Sequence, residues 1–201
     1  SNISDGGWGW GSCFSDLNND GLQDIFQTNG WDDTYTTFVG TEHFWEDSNR
    51  LFLATDSGRF ENVAKLVGVD GKQQGRAVVC FDADNDGDID LLLMDMQQQS
   101  NSLVLYENVN GNQLGHYLKV QLNSDQGNRF AVGATVTLEL SDKTLTRVVN
   151  INSSFTAHNP LELHFGLGQE NIIKKLEIDW PDGEKQILTD VAINQTLIIE
   201  K

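Results

Sequence analysis

The chain has 201 residues, a length that suits one large domain or two modest domains with a sizeable buried core. Its 30 Asp and Glu residues outnumber its 13 Lys and Arg residues, and the formal net charge is −17. A surface of this charge argues against nucleic acid and anionic membranes as partners, and it suits a saline or calcium-rich exterior. No stretch is long and apolar enough for membrane insertion, and no signal peptide is visible.

The first predicted strands, at 8–14 and 24–27, flank an aspartate-rich segment that we call loop 1 (residues 16–24). Oxygen-bearing side chains occupy positions 1, 3, 5 and 9 of this loop, and glycine occupies position 6. Alternate residues of a tight loop point inward, and the glycine allows a sharp turn, so these oxygens converge together with the carbonyl at position 7. Calcium tolerates such flexible all-oxygen coordination. The predicted ligands are Asp16, Asn18, Asp20, Leu22 and Asp24.

A polar and aromatic insert at 31–50 follows the second strand. Its carboxylates stand among aromatic residues, and aromatic rings stack on sugar rings in saccharide sites. The candidate ligand-binding residues are Trp31, Tyr35, Glu42, Phe44 and Trp45. Paired carboxylates can also hydrolyse glycosides, so a carbohydrate-active hydrolase or an accessory carbohydrate-binding region is the alternative function. A solvated loop whose aromatics pack on their own sheet is the alternative without any ligand.

The aspartate pattern returns in loop 2 (residues 82–90), again between two predicted strands. A second copy weakens the alternative of an ordinary metal-free turn. A helix-loop-helix calcium site is excluded, because it needs a glutamate at position 12, where Gln27 and Leu93 stand. The sequence therefore predicts two calcium ions, with loop 1 the weaker site because it has Asn18 where loop 2 has Asp84. The predicted ligands of loop 2 are Asp82, Asp84, Asp86, Asp88 and Asp90.

The two cysteines precede the two loops, in the strands that enter them. Small buried thiols are common packing residues, so we expect Cys13 and Cys80 to be a free buried pair. A disulfide that bridges the two units is the alternative.

Residues 116–201 predict a separate all-β domain. Apolar and polar residues alternate at 117–122, 135–140 and 175–180, and further strands are expected at 145–151, 161–165, 185–188 and 196–200. Six or seven short strands at close spacing indicate a β-sandwich. We therefore expect two parts, a repeat region at 1–115 and a sandwich at 116–201.

The first part resembles FG-GAP repeats, also called VCBS repeats, which form the blades of integrin-type β-propellers. The resemblance rests on Trp8-Gly9-Trp10-Gly11, on both aspartate loops, on Asn49-Arg50-Leu51-Phe52 and on Asp56-Ser57-Gly58-Arg59-Phe60, and it covers residues 8–110. It implies that each calcium loop joins the first two strands of a blade. Two blades cannot close a propeller, which needs about four to eight. We therefore expect the chain to be the C-terminal piece of a longer secreted protein, or missing blades from the same or another chain to cover its open edges.

The second part resembles the ASPIC/UnbV domain, which follows propeller repeats in bacterial secreted proteins and in a cartilage acidic protein. Four motifs in the right order carry this resemblance: 116–122, 128–136, Leu163-His164-Phe165-Gly166-Leu167-Gly168, and Trp180-Pro181-Asp182-Gly183.

No catalytic constellation is visible. None of the four histidines has a partner at metal or catalytic spacing, and there is no nucleophile elbow or phosphate loop. We expect a non-enzymatic, calcium-stabilised binding or adhesion module that is secreted, periplasmic or on the cell surface, with an extracellular protein or polysaccharide as its ligand.

Overall fold

The structure is a computed structural model, and it describes residues 3–31, 44, 46–72, 74–97, 100–125 and 127–201. The protein is all-β, as predicted. Its four sheets are open, and none closes into a barrel within these residues. Of the described helices, α1 (Ala64–Val67) and α2 (Gly111–Leu114) have one turn each, and no described helix is long and apolar enough to cross a membrane.

The first part of the chain forms two antiparallel sheets. Sheet 1 has the order β1-β2-β3-β4 and sheet 2 the order β5-β6-β7. The bounds are β1 Gly9–Ser15, β2 Asp24–Asn29, β3 Arg50–Ala54, β4 Phe60–Asn62, β5 Gly75–Phe81, β6 Asp90–Gln97 and β7 Ser100–Tyr106. The turn at Asp56-Ser57-Gly58 leads into β4, the fourth strand of sheet 1. Sheet 2 has three strands among the described residues.

Sheets 1 and 2 pack face to face on one hydrophobic core. Cys13, Phe26 and Leu51 face it from sheet 1, and Val78 and Leu91 are among those that face it from sheet 2. Alternation along each strand puts these side chains on a single face.

Cys13 and Cys80 form a disulfide in this core, and the described residues include no free cysteine. The expectation of a free buried pair was therefore wrong. The innermost strands β1 and β5 lie side by side, which places the two Cα atoms 6.4 Å apart, within the range that a disulfide spans. Sequence spacing contains no information on that distance.

The seven C-terminal strands form two sheets around a second core. Sheet 3 has the order β11-β8-β14 and sheet 4 the order β10-β9-β12-β13. The bounds are β8 His116–Asn123, β9 Thr135–Glu139, β10 Thr144–Val148, β11 Leu163–Gly168, β12 Lys175–Asp179, β13 Lys185–Leu188 and β14 Gln195–Glu200. Strand β14 runs parallel to β8, whereas the other paired strands are antiparallel.

The second core follows from the alternation seen in the sequence. Leu118 and Val120 on β8, Val136 on β9 and Ile178 on β12 are fully buried, and Phe165 on β11 joins them. A buried side chain of this kind contributes about 1.5–3 kcal/mol relative to an exposed one. This core joins sheet 3 to sheet 4.

Candidate metal centre

The two aspartate loops have the same backbone conformation. Each connects the first two strands of its sheet, and each contains two residues with positive φ at matching places. These are Asn19 (56°) and Gly21 (93°) in loop 1, and Asn85 (63°) and Gly87 (96°) in loop 2. Asparagine and glycine are the residues that adopt this left-handed conformation at low cost.

Side-chain hydrogen bonds hold loop 1 in this shape. The Asp16 carboxylate accepts from the N–H groups of Asp20 at 3.1 Å and Gly21 at 2.7 Å. The Asp20 carboxylate accepts from the N–H of Leu22 at 2.7 Å. Loop 2 repeats all three bonds: Asp86 to Asp82 at 3.1 Å, Gly87 to Asp82 at 3.0 Å, and Asp88 to Asp86 at 3.0 Å.

The carboxylates at position 9 tie each loop to the rest of its sheet. Asp24 accepts from the N–H of Leu17 and from that of Ala54 at the end of β3, both at 2.8 Å. Asp90 accepts likewise from Ala83 at 2.7 Å and from Asn108 after β7 at 2.8 Å. Both oxygens of each carboxylate therefore already accept a backbone hydrogen bond. A metal ion would bind through the second lone pair of one of these oxygens.

Loop 2 brings three carboxylates together. One oxygen each from Asp82, Asp84 and Asp86 lies within 4.8 Å of the others. Calcium–oxygen distances are about 2.3–2.6 Å, so oxygens across one ion stand up to about 5 Å apart, and this donor set fits calcium. In loop 1 the position of Asp84 is occupied by Asn18, whose amide donates to Asp20 at 2.9 Å.

Crowding and burial raise the pKa of several loop carboxyl groups. Burial, with the neighbouring charges of Asp20 and Asp24, raises the pKa of Asp16 to about 7. Burial raises the pKa of Asp24 to about 6, against two backbone N–H bonds that lower it. In loop 2, burial and then Asp86 raise the pKa of Asp88 to about 7, and burial raises the pKa of Asp90. A bound cation would relieve this conflict among the charges.

Lys119 of β8 supplies one positive charge to loop 2. Its ammonium lies 2.7 Å from Asp82 and 3.6 Å from Glu162, and it donates to the Asn85 side chain at 3.3 Å. Only 3% of the Lys119 side chain and none of the Asp82 side chain is exposed. Burial lowers the pKa of Lys119, but the bond to Asp82 and the charge of Glu162 outweigh it and the pKa is raised. This lysine is therefore charged and pairs with a predicted metal ligand.

Both loops dock on sheet 3. The Gly168 N–H donates to the carbonyl of Asn19 at 2.7 Å, and Asn19 is fully buried. A Cβ on Gly166 would overlap the Asp16 carboxylate and the Asn19 backbone, and one on Gly87 would overlap the Tyr117 ring. Gly166 of the Leu-His-Phe-Gly-Leu-Gly stretch therefore permits the close approach of loop 1.

Two further contacts join the loops to each other and to the C-terminal sheets. The Asn19 amide donates to the carbonyl of Gly87 at 3.1 Å, which places the loops side by side. Nε2 of His164 lies 3.2 Å from the same carbonyl, and burial lowers the pKa of His164 to about 4. Because a carbonyl only accepts, Nε2 carries the proton of this neutral imidazole.

The predicted ligand-binding insert is described only in part. Tyr35, Glu42 and Trp45 lie outside the described residues. The Trp31 ring packs against Trp8 and Trp10 with centroids 4.7 Å and 6.0 Å apart, and Phe44 lies 5.2 Å from Trp8. These aromatic rings thus pack on the entry to their own sheet.

The sequence missed the residues that connect the loops to sheet 3. Alternation along β8 predicts an exposed Lys119, yet this side chain is buried on Asp82. Asn19 is not among the predicted ligands of loop 1, yet it is buried beneath β11. A signal was available at Gly166, because glycine inside a strand marks a close backbone approach.

Residues 124–201 match the family described as ASPIC and UnbV. The match begins directly after β8, so three of the four motifs that suggested this family lie within it. Among curated proteins no relative was found for the chain. The resemblance of residues 8–110 to FG-GAP repeats remains a prediction.

Proposed function

We propose that the chain is an extracytoplasmic, non-enzymatic binding module in which two calcium ions stabilise a pair of propeller-type repeat sheets. The observation that carries this proposal is the convergence of Asp82, Asp84 and Asp86 within 4.8 Å, on a loop whose hydrogen bonds recur in loop 1. Bound calcium would supply positive charge to carboxylates that otherwise repel one another. Its role is structural, because each loop connects rigid strands and lacks an element with two stable arrangements.

Two features support a location outside the cytoplasm. The Cys13–Cys80 disulfide joins the two repeat sheets, and disulfides persist mainly in oxidising compartments. The net charge of −17 suits a saline or calcium-rich exterior.

Calcium binding is tested by thermal unfolding. We expect a chelator to lower the melting temperature by several degrees, because a ligand that binds only the folded state stabilises it by mass action. Asp86→Ala should lower the melting temperature in calcium and abolish the response to chelator at loop 2. Asp125→Ala, a change at an exposed acidic residue away from both loops, is the matched control. An unchanged melting temperature when calcium is added to stripped protein contradicts the proposal.

The register of the two sheets supports a further repeat sheet as a partner. On sheet 1, Cys13, Phe26 and Leu51 lie opposite one another in a row that packs on sheet 2. The equivalent row on sheet 2, counted from the position-9 aspartate, is Val79, Leu92 and Leu105. This row faces away from sheet 1, and Leu105 is 51% exposed whereas its counterpart Leu51 is 6% exposed.

Met94, Met96 and Leu103 extend this exposed apolar face. A contiguous apolar face on so acidic a protein is typical of an interaction site. We propose that it is covered by another sheet of the same kind, from the same or another chain. In light scattering, Leu103→Lys should reduce any self-association of the chain, with Lys65→Met on the exposed helix α1 as a control. Self-association that survives Leu103→Lys would place the contact elsewhere.

A further inference from the structure

A cavity of about 380 Å³ lies where the C-terminal sheets meet loop 1 and the disulfide. Phe14 and Gln23 line it from sheet 1 and loop 1, Cys80 from β5, and Arg147 and His164 from β10 and β11. Its volume falls within the range of about 300–1,000 Å³ that is usual for small-molecule sites. None of these residues belongs to the ligand site predicted in the 31–50 insert.

Arg147 is the distinctive group in this cavity. Its Nη1 donates to the Thr146 carbonyl at 3.1 Å, and with the Gln23 amide turned toward it, Nη2 and Nε donate to the Gln23 oxygen at 3.2 and 3.3 Å. The guanidinium packs over the Phe165 ring at 5.4 Å. In the described part of the chain no carboxylate lies within ion-pair distance of it, although 30 acidic residues are present. Since a guanidinium has five N–H donors, two remain for a ligand.

Two carboxylates that line the cavity share one ammonium. Asp82 and Glu162 line it, but both lie against the Lys119 ammonium, at 2.7 and 3.6 Å. Arg147 makes no ion pair with a described residue, so its guanidinium is the place where an entering carboxylate would bind, although the charge of Asp16 also acts on it. Fixed, partly desolvated guanidinium groups form strong, charge-assisted hydrogen bonds to carboxylates.

The remaining lining is neutral and polar with an apolar side. The amides of Asn150 and Asn152 and the hydroxyl of Ser153 offer donors and acceptors, and Phe14 presents a ring that is 61% exposed. Nδ1 of His164 is buried and has no hydrogen-bond partner among the described residues. With Nε2 protonated, Nδ1 is an acceptor, which suits a hydroxyl donor. Amides, hydroxyls and one aromatic face are the groups that recognise the ring and hydroxyls of a sugar.

We infer that this cavity binds a carboxylate-bearing sugar, with Arg147 on the carboxylate and Phe14 against the ring. The inference rests on the proposed function of a binding module and specifies its ligand class. A free sugar acid and the terminal residue of an acidic polysaccharide share this chemistry.

The test is calorimetric titration of the full chain in calcium with glucuronate, with glucose as the neutral counterpart, and with a short oligoglucuronide. We expect glucuronate to bind at least tenfold more tightly than glucose, the ratio that about 1.4 kcal/mol of charge-assisted bonding produces. Arg147→Gln should remove this preference, and Arg147→Lys should retain part of it. Arg129→Gln, at an arginine outside the cavity, is the matched control and should change nothing. Equal or tighter binding of the oligomer identifies a polysaccharide end, whereas binding of the monomer alone identifies a free sugar acid.

Several results would overturn the inference. These are equal affinity for glucose and glucuronate, no binding of either, or a preference that survives Arg147→Gln. If Arg147→Gln fails to fold, Phe14→Ser at the exposed ring replaces it, with a several-fold loss of affinity expected and an unchanged affinity counting against the site. A chain that still shows calcium-dependent melting but binds no sugar would refute this inference and leave the proposed function intact.

Discussion

Loops 1 and 2 share one backbone and one hydrogen-bond pattern, but they differ in charge and in depth. Loop 1 has an amide at position 3 and is covered by β11, so that Asp16 and Asn19 are buried. Loop 2 has the carboxylate of Asp84 at that position, and this residue is exposed. However, loop 2 also receives the ammonium of Lys119. The comparison shows that a repeated motif fixes the shape of a site, while the surface on which it docks sets its electrostatics.

The expectation that loop 1 binds calcium more weakly must therefore also take into account the positive charge beside loop 2. Lys119 offsets the charge of one of the three carboxylates that converge at loop 2, so the charge advantage of loop 2 is smaller than a count of aspartates suggests. Three experiments separate these contributions.

The largest effect is expected from Lys119→Met. Removing one partner of a buried ion pair leaves an uncompensated charge on Asp82 and should destabilise the calcium-free protein by about 3 kcal/mol. Saturating calcium should reduce this cost, because it replaces the missing positive charge. Urea unfolding with calcium and with chelator measures both values.

Lys175→Met is the control for this variant. Lys175 pairs with Glu177 at 3.0 Å and with Glu139 at 3.7 Å, where solvent screens the charges, so we expect a much smaller loss of stability. Equal costs for the two variants would show that the buried pair has no special role.

The second effect is a pH dependence that differs between loaded and stripped protein. Folding raises the pKa of Asp16 and Asp88 to about 7 and that of Asp24 to about 6. The folded chain therefore holds protons that the unfolded chain releases near pH 4, and calcium-free stability should fall as pH rises from about 4 to 7. His164, whose pKa is lowered to about 4, acts in the opposite direction between pH 4 and 6.5.

Melting curves of Asp16→Asn in chelator isolate the contribution of loop 1. The fall in stability between pH 4 and 7 should be shallower in this variant than in the unaltered chain. With calcium present the carboxylates must be ionised, so affinity should rise over the same range. A calcium-free stability that rises steadily from pH 4 to 7 would contradict the crowded carboxylates.

The smallest effect is expected from exchanging the residues at position 3. Asp84→Asn should weaken calcium binding at loop 2 about tenfold, or about 1.4 kcal/mol, and Asn18→Asp should strengthen it at loop 1 by a similar factor. Calorimetric titration with calcium, carried out on each variant and on the double variant, measures the calcium affinity of each loop separately. If Asn18→Asp leaves the affinity unchanged, burial beneath β11 rather than charge limits loop 1.

Much of this architecture could be predicted from local pattern. Alternation located the strands of the second core, and the spacing of aspartate and glycine located both loops, because these features depend on residues close in sequence. The contacts between distant segments could not be predicted. The Cys13–Cys80 disulfide, the buried Lys119 and the cavity at Arg147 all depend on how the C-terminal sheets dock on the loops, and one sequence contains no distances between strands.

The disulfide also determines how the chain would respond to a pulling force. It closes a segment in which Cys13 and Cys80 are 67 positions apart, and this segment includes most of sheet 1. Fully extended, that length would span roughly 230 Å at about 3.3–3.6 Å per residue. Tension applied on either side of the disulfide bypasses this segment, so loop 1 and strands β2, β3 and β4 could not lengthen under load until the disulfide breaks.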